Sequence, residues 1–149
     1  MLRRDYLLKL IQDVFASIAA LLQRDGDEVE RRRQVEALYT LFGGDRDFFR
    51  QASDGEMIAA VARVAADSHG GLAPEQVPAD EMVRRLELLA ALLYADFKVS
   101  NLQQGLRRDV AVRSLSLYKR VVEASDTYSQ ERFDRIGELE AFLAGNVNK

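Results

Sequence analysis

LELLAALLYADFKVS, residues 86–100, decides the fold. Wound at about 100° per residue, Leu86, Leu89, Leu93 and Phe97 share one face, and Leu88, Leu92 and Val99 fall nearly opposite. A helix that is apolar on two sides is sandwiched between neighbours and does not lie on a surface. The unbroken apolar run 88–95 is far short of the roughly 20 residues that cross a bilayer. Leu102 and Leu106 extend the second face, so the helix is expected to turn near 105–109, around Gly105. VAVRSLSLYKRVVEAS, 110–125, then returns against it as a further helix.

Working outward, both sides repeat the 3.6-residue period. In RRDYLLKLIQDVFASIAALLQ, Leu7, Leu8, Leu10, Ile11, Val14, Phe15, Ile18, Leu21 and Leu22 fall within an arc of roughly 160°. That stripe is broad and needs a large partner surface. Asp25-Gly26 closes it. A second helix carries Val35, Leu38, Tyr39 and Phe42 and ends at Gly43-Gly44. RDFFRQA, 46–52, supplies one or two turns. Ser53-Asp54-Gly55-Glu56 reads as a capping box before the apolar-rich 57–67, which stops at Gly70-Gly71. GLAPEQVPAD, 71–80, holds both prolines. A last helix carries Phe133, Ile136, Leu139 and Leu143. No β-type alternation occurs. The class is all-α: about six to seven helices in antiparallel hairpins, a bundle or short solenoid. One domain spans 1–149, with the 70–80 loop as its one point of subdivision.

Composition narrows the chemistry. With 149 residues, 48% hydrophobic and 30% charged, the chain suits a soluble globular domain. A net charge of −3 gives no general attraction to nucleic acid or anionic membrane. Cysteine is absent, which removes disulfides, thiolate ligands and thiol redox chemistry. Asp5, Lys9, Gln12 and Asp13 interrupt the apolar N-terminus too often for a signal h-region, and a cytoplasmic location is expected. His69 is the only histidine, so motifs needing two are excluded. It stands at a helix C-terminus, where an imidazole interacts favourably with the dipole. Ser68-His69 could in principle form a catalytic pair, but adjacent residues rarely converge. No phosphate-binding glycine loop is present. No catalytic residue, metal ligand or cofactor is therefore nominated.

Two charged clusters invite a functional reading. QRDGDEVERRR, 23–33, places Asp25, Asp27 and Glu36 at positions one, three and twelve of a calcium loop. Val29, Glu30 and Arg33 then occupy positions that require a ligand, a glycine and a ligand. The same residues serve a helix joint better. Asp27 caps the second helix with Glu30 three residues on, and Glu28–Arg32, Asp27–Arg31 and Arg32–Glu36 stand four apart, with Arg33 three from Glu30 and Glu36. The second cluster is Arg107, Arg108, Arg113, Lys119 and Arg120. It offers an anion or nucleic-acid face at 107–120, but Asp109 and Glu123 stand at ion-pair spacings from it. Tyr39, Tyr94 and Tyr118 sit at helical spacings that fit the core or its boundary.

Leu86-x-x-Leu89-Ala90-x-x-Leu93 and Ser114-x-x-x-Tyr118 each follow the spacing of tetratricopeptide key positions, with an interval between them about twelve residues longer than that repeat's and without its Trp, Gly and terminal Pro. RRDYLLKLIQDVFASIAALL, LLAALLYADFKVS with SLSLYKRVVEAS, and RFDRIGELEAFL together resemble a family of uncharacterised bacterial proteins with a tetratricopeptide-like helical fold. The resemblance implies that fold and a scaffold role, and it carries no site residues. The expected function is a non-catalytic module that binds a protein partner, with self-association into a homodimer through the first helix as one form. Arg113, Tyr118 and Arg120 are its candidate partner-binding residues. The alternatives are the anion or nucleic-acid face, or an enzyme with a carboxylate and arginine site.

Overall fold

The computed structural model describes residues 3–23 and 27–145. Gly26, read above as the closure of the first helix, and Asp25, the first position of the calcium register, lie outside the described residues. Among the described residues seven α-helices follow one another: α1 (Arg3–Gln23), α2 (Glu28–Thr40), α3 (Arg46–Gln51), α4 (Asp54–Ser68), α5 (Ala79–Val99), α6 (Gln104–Ala124) and α7 (Gln130–Leu143). A 3-10 turn at Pro74–Gln76 lies in the proline loop, and no strand occurs among the described residues. The all-α class holds.

α5 is the central element. It packs most extensively against α6, then α1, and also meets α2 and α4, while α7 lies on α6. Every residue from 88 to 97 is buried, as two apolar faces require. One apolar cluster draws side chains from all seven helices, on both sides of the 70–80 loop. A small satellite of Ala65, Ala66 and Val77 sits under that loop.

Local chemistry explains most boundaries. Asp27 accepts from the Val29 N–H at 3.0 Å and Asp45 from the Phe48 N–H at 2.8 Å, each opening a helix. Ser53 and Glu56 form the full reciprocal box, at 3.2 and 2.8 Å. Between α2 and α3 the chain turns at Gly43, whose φ is +100°. A β-carbon there would stand 2.8 Å from the Val64 methyl and 2.9 Å from the Ala60 carbonyl oxygen. The turn presses on α4 closely enough that only glycine fits.

Two expectations are corrected. α5 does not run on to 105–109. It ends at Val99, Ser100 caps it by donating its N–H to the Asp96 carbonyl, and Asn101 turns the chain at φ +53°. Asparagine tolerates the left-handed region, so this turn needs no glycine. Gly105 falls instead in the first turn of α6. Leu102 belongs to the turn and Leu106 to α6, and both still pack on the core. The second correction concerns α7. Phe133 is 41% exposed, stacked on Tyr128 at 5.4 Å, while its neighbour Arg132 is buried. Arg132 gives Nε and Nη2 to Glu87 of α5 and Nη1 to the Thr127 carbonyl. That polar anchor rotates the apolar stripe onto Ile136, Leu139 and Phe142.

Candidate functional site

Among the described residues, most of the polar side chains that the fold buries are tied by hydrogen bonds to one another or to backbone carbonyls, with Arg46 Nε an exception. Asp96, fully enclosed, accepts Arg50 Nε at 2.8 Å and Nη2 at 2.7 Å. The same carboxylate accepts the Tyr39 hydroxyl at 2.7 Å and the Ser100 hydroxyl. α2, α3 and α5 are thereby joined at one point. Burial pushes the Tyr39 hydroxyl well above its ordinary value, and the Asp96 charge adds to the effect. Burial disfavours the Arg50 cation most, yet its hydrogen bonds to Asp96 and the neighbouring negative charge, chiefly that of Asp96, together outweigh it and raise its pKa. This cluster was missed in the sequence. The available signal was a lone acid directly after an eight-residue apolar run.

A second chain of contacts spans the 70–80 loop. His69 Nε2 lies 2.6 Å from Glu81 Oε1, and Arg85 Nε donates to Glu81 Oε2 at 2.9 Å. Arg85 also donates to the Ser68 hydroxyl, which itself donates to the Ala65 carbonyl. Ser68 and His69 thus point to different partners.

The residues nominated from the sequence fall into the framework. Arg113 donates to the carbonyls of Gln51, Ala52 and Asp109, at 2.8, 2.7 and 3.0 Å. It caps the C-terminal end of α3. Tyr118 is 1% exposed, and its hydroxyl accepts from Arg135 at 3.0 Å. Burial pushes that hydroxyl up to about 12, against the opposing pull of Arg135. Arg120, half exposed, pairs with Asp54 at the start of α4, and Lys119 pairs with Glu140. Arg107 lies over the rings of Phe97 and Phe142, at 4.6 and 5.0 Å. The three candidates are on one helix: Arg113 and Arg120 both reach the α3–α4 joint at 51–54, while Tyr118 is buried away from it. Arg120 and Lys119 reach across to other helices instead of to Glu123, and Arg113 takes the Asp109 carbonyl, not its side chain. In the charged joint, Glu28–Arg32 and Glu30–Arg33 pair as their spacing suggests, whereas Glu36 pairs with Arg46 of α3.

Among the openings the framework leaves are a depression of about 460 Å3 beside Leu22, Tyr94 and Arg135, one of about 280 Å3 between α1 and α2, and a set of three over the N-terminal half of α5. One end of that set is a cavity of about 350 Å3, lined by Leu7, Leu8, His69, Pro78, Asp80, Glu81 and Arg84. Leu8, Asp80 and Arg84 also line a second depression of about 440 Å3, which adds Ile11, Phe15, Val83, Ala124 at the end of α6 and residues 125–127 of the α6–α7 loop. Val83 and Ala124 lead on to a third, with Ile58, Leu86, Val121 and Glu123. Helices α1, α4, α5 and α6 wall these three adjoining depressions. Phe15, at the edge of the α1 stripe, is 38% exposed on the second. Among the described residues no group of three or more His, Asp or Glu is placed to hold a metal ion. No described helix is long and apolar enough to cross a membrane.

Fold and depressions together define an all-α helical bundle with an open interhelical groove over the N-terminal half of α5. Comparison with protein-family models, with curated proteins and with solved structures returns no match to this chain.

Proposed function

We propose that the protein is a non-catalytic interaction module whose partner-binding surface is the α1–α5 groove. The observation that carries this reading is that three depressions adjoin one another there and share lining residues. Buried polar side chains are mostly spent on one another or on backbone carbonyls, the cations of 107–120 are mostly engaged with the fold, and half-covered apolar surface remains there. Apolar surface of this kind, rimmed by charge, marks binding sites more often than empty surface. The resemblance to tetratricopeptide-like proteins adds an expected scaffold role, and the α5–α6 hairpin is consistent with it. A homodimer through α1 is one form the interaction could take.

A photo-crosslinking residue at position 15 tests the reading in the native cell extract, with the same group at exposed Glu75 as control. The expected result is a discrete adduct from position 15 only. Equal labelling from both positions would overturn the assignment of the groove. Light scattering on the purified chain separates self-association from a foreign partner.

One observation favours a second reading, an enzyme. His69, Asp80, Glu81 and Arg84 line a single cavity. It ranks second because both Glu81 oxygens are held within the protein and Ser68 is committed to a backbone carbonyl. Turnover of ester, phosphate or glycoside substrates that is abolished in His69→Gln would raise it above the first.

A further inference from the structure

Charge at the groove is not balanced. Glu81 is held by Arg85 and His69, Glu87 by Arg132, and Arg120 by Asp54. Among the described residues, the side chains of four charged lining residues make no ion pair or hydrogen bond: Asp80, Arg84, Glu123 and Asp126. Three of these are acids and one is a base. Among the described residues, an apolar floor of Leu8, Phe15, Val83 and Leu86 therefore carries a rim with an excess of acid.

We infer that the groove receives an amphipathic helix of a partner protein, its apolar face flanked by lysine or arginine. This deepens the interaction-module reading and rests on it. Length supports a helix of two to three turns. The α1 lining runs from Leu7 to Phe15 and the α5 lining from Asp80 to Glu87, each about 10–12 Å of axis at 1.5 Å per residue. Anchors at i, i+3, i+4 and i+7 of a partner helix cover that distance and meet alternate hollows of the floor. Flanking cations then face Asp80 on one side and Glu123 and Asp126 on the other. A second copy of this chain is the poorer occupant, because it would bring its own acidic rim against this one. Opposite charge would chiefly steer encounter and set orientation, with the apolar anchors holding the complex.

The test uses the full chain and two synthetic peptides with the same leucine anchors, one flanked by lysine and one by glutamate, read by fluorescence anisotropy. The lysine peptide should bind, weaken as salt rises, and lose about ten-fold in affinity to the Glu123→Lys, Asp126→Lys protein. Phe15→Glu should cost at least about ten-fold. Both altered sites are exposed, and circular dichroism verifies that each variant folds. Equal binding of both peptides, or preference for the glutamate peptide, would overturn the charge inference while leaving the groove as an interaction surface. Lysine-peptide binding that ignores Phe15→Glu would overturn the site. Binding of neither peptide, with a discrete foreign adduct still formed at position 15, would overturn the helix but not the module. A concentration-dependent dimer abolished by Phe15→Glu would replace it with a second copy.

Discussion

At Asp96 a single carboxylate accepts from Arg50, Tyr39 and Ser100 with no exposure to water. Removing it leaves a guanidinium and a phenol buried without an acceptor, and such a loss costs about 3–5 kcal/mol. Asp96→Ala should therefore lower the urea midpoint sharply or leave the chain unfolded. Replacing both partners by apolar residues, as in Arg50→Met with Asp96→Leu, should recover a large part of that loss, since the desolvation of two charges disappears with them. If the double variant is no more stable than Asp96→Ala, the pair contributes more than charge balance. Periodicity located the helix that carries Asp96 but could not reveal its role. Arg50 lies 46 residues away, and nothing local to either residue points to the other.

Elements show where the legible part of the sequence ends. The capping box at Ser53, the short α3 and the left-handed turn at Gly43 are written in neighbouring residues, although α2 itself ends earlier than the glycine pair suggests, at Thr40 with Leu41 as its cap. The α5–α6 turn was not readable, because Asn101 can do what a glycine does and Gly105 can be tolerated in a first helical turn. Arg113 was read as a surface ion-pair member because its best partners, the last carbonyls of α3, are some 60 positions away in the chain. Arg113→Ala should leave those carbonyls without their donor and cost about 1–3 kcal/mol, measured by denaturant unfolding. Arg113→Lys should recover only part of this, since an ammonium cannot fork between two carbonyls. Gly43→Ala is the sharper test of the α2–α3 joint. It adds a left-handed strain to an overlap with the Ala60 backbone, a combined penalty of about 2 kcal/mol or more. A wild-type melting temperature in this variant would mean that α4 moves away freely.

At the scale of the whole molecule, three tyrosines hold helices together through their hydroxyls. Tyr39 links α2 to Asp96 of α5, Tyr94 links α5 to Glu138 of α7, and Tyr118 links α6 to Arg135 of α7. Burial raises all three, with the carboxylates beside Tyr39 and Tyr94 adding to it, and Tyr118 reaches about 12. In the unfolded chain a tyrosine titrates near about 10. Between that value and the folded one, the unfolded state releases protons that the folded state keeps, so stability falls as pH rises. The contribution is complete below the unfolded value and lost progressively above it. Each such tyrosine should remove on the order of 1 kcal/mol per pH unit across its window, which for Tyr118 runs from about 10 to about 12. Urea midpoints should thus decline steeply above pH of about 10, with tyrosinate absorbance appearing together with the loss of helix. Tyr118→Phe cannot ionise, so its decline should be shallower even if it starts from a lower stability at neutral pH. Tyrosinate absorbance from all of these side chains before any helix is lost would show that the hydroxyls titrate in place. The joints between α2, α5, α6 and α7 would then owe their cohesion to apolar packing alone.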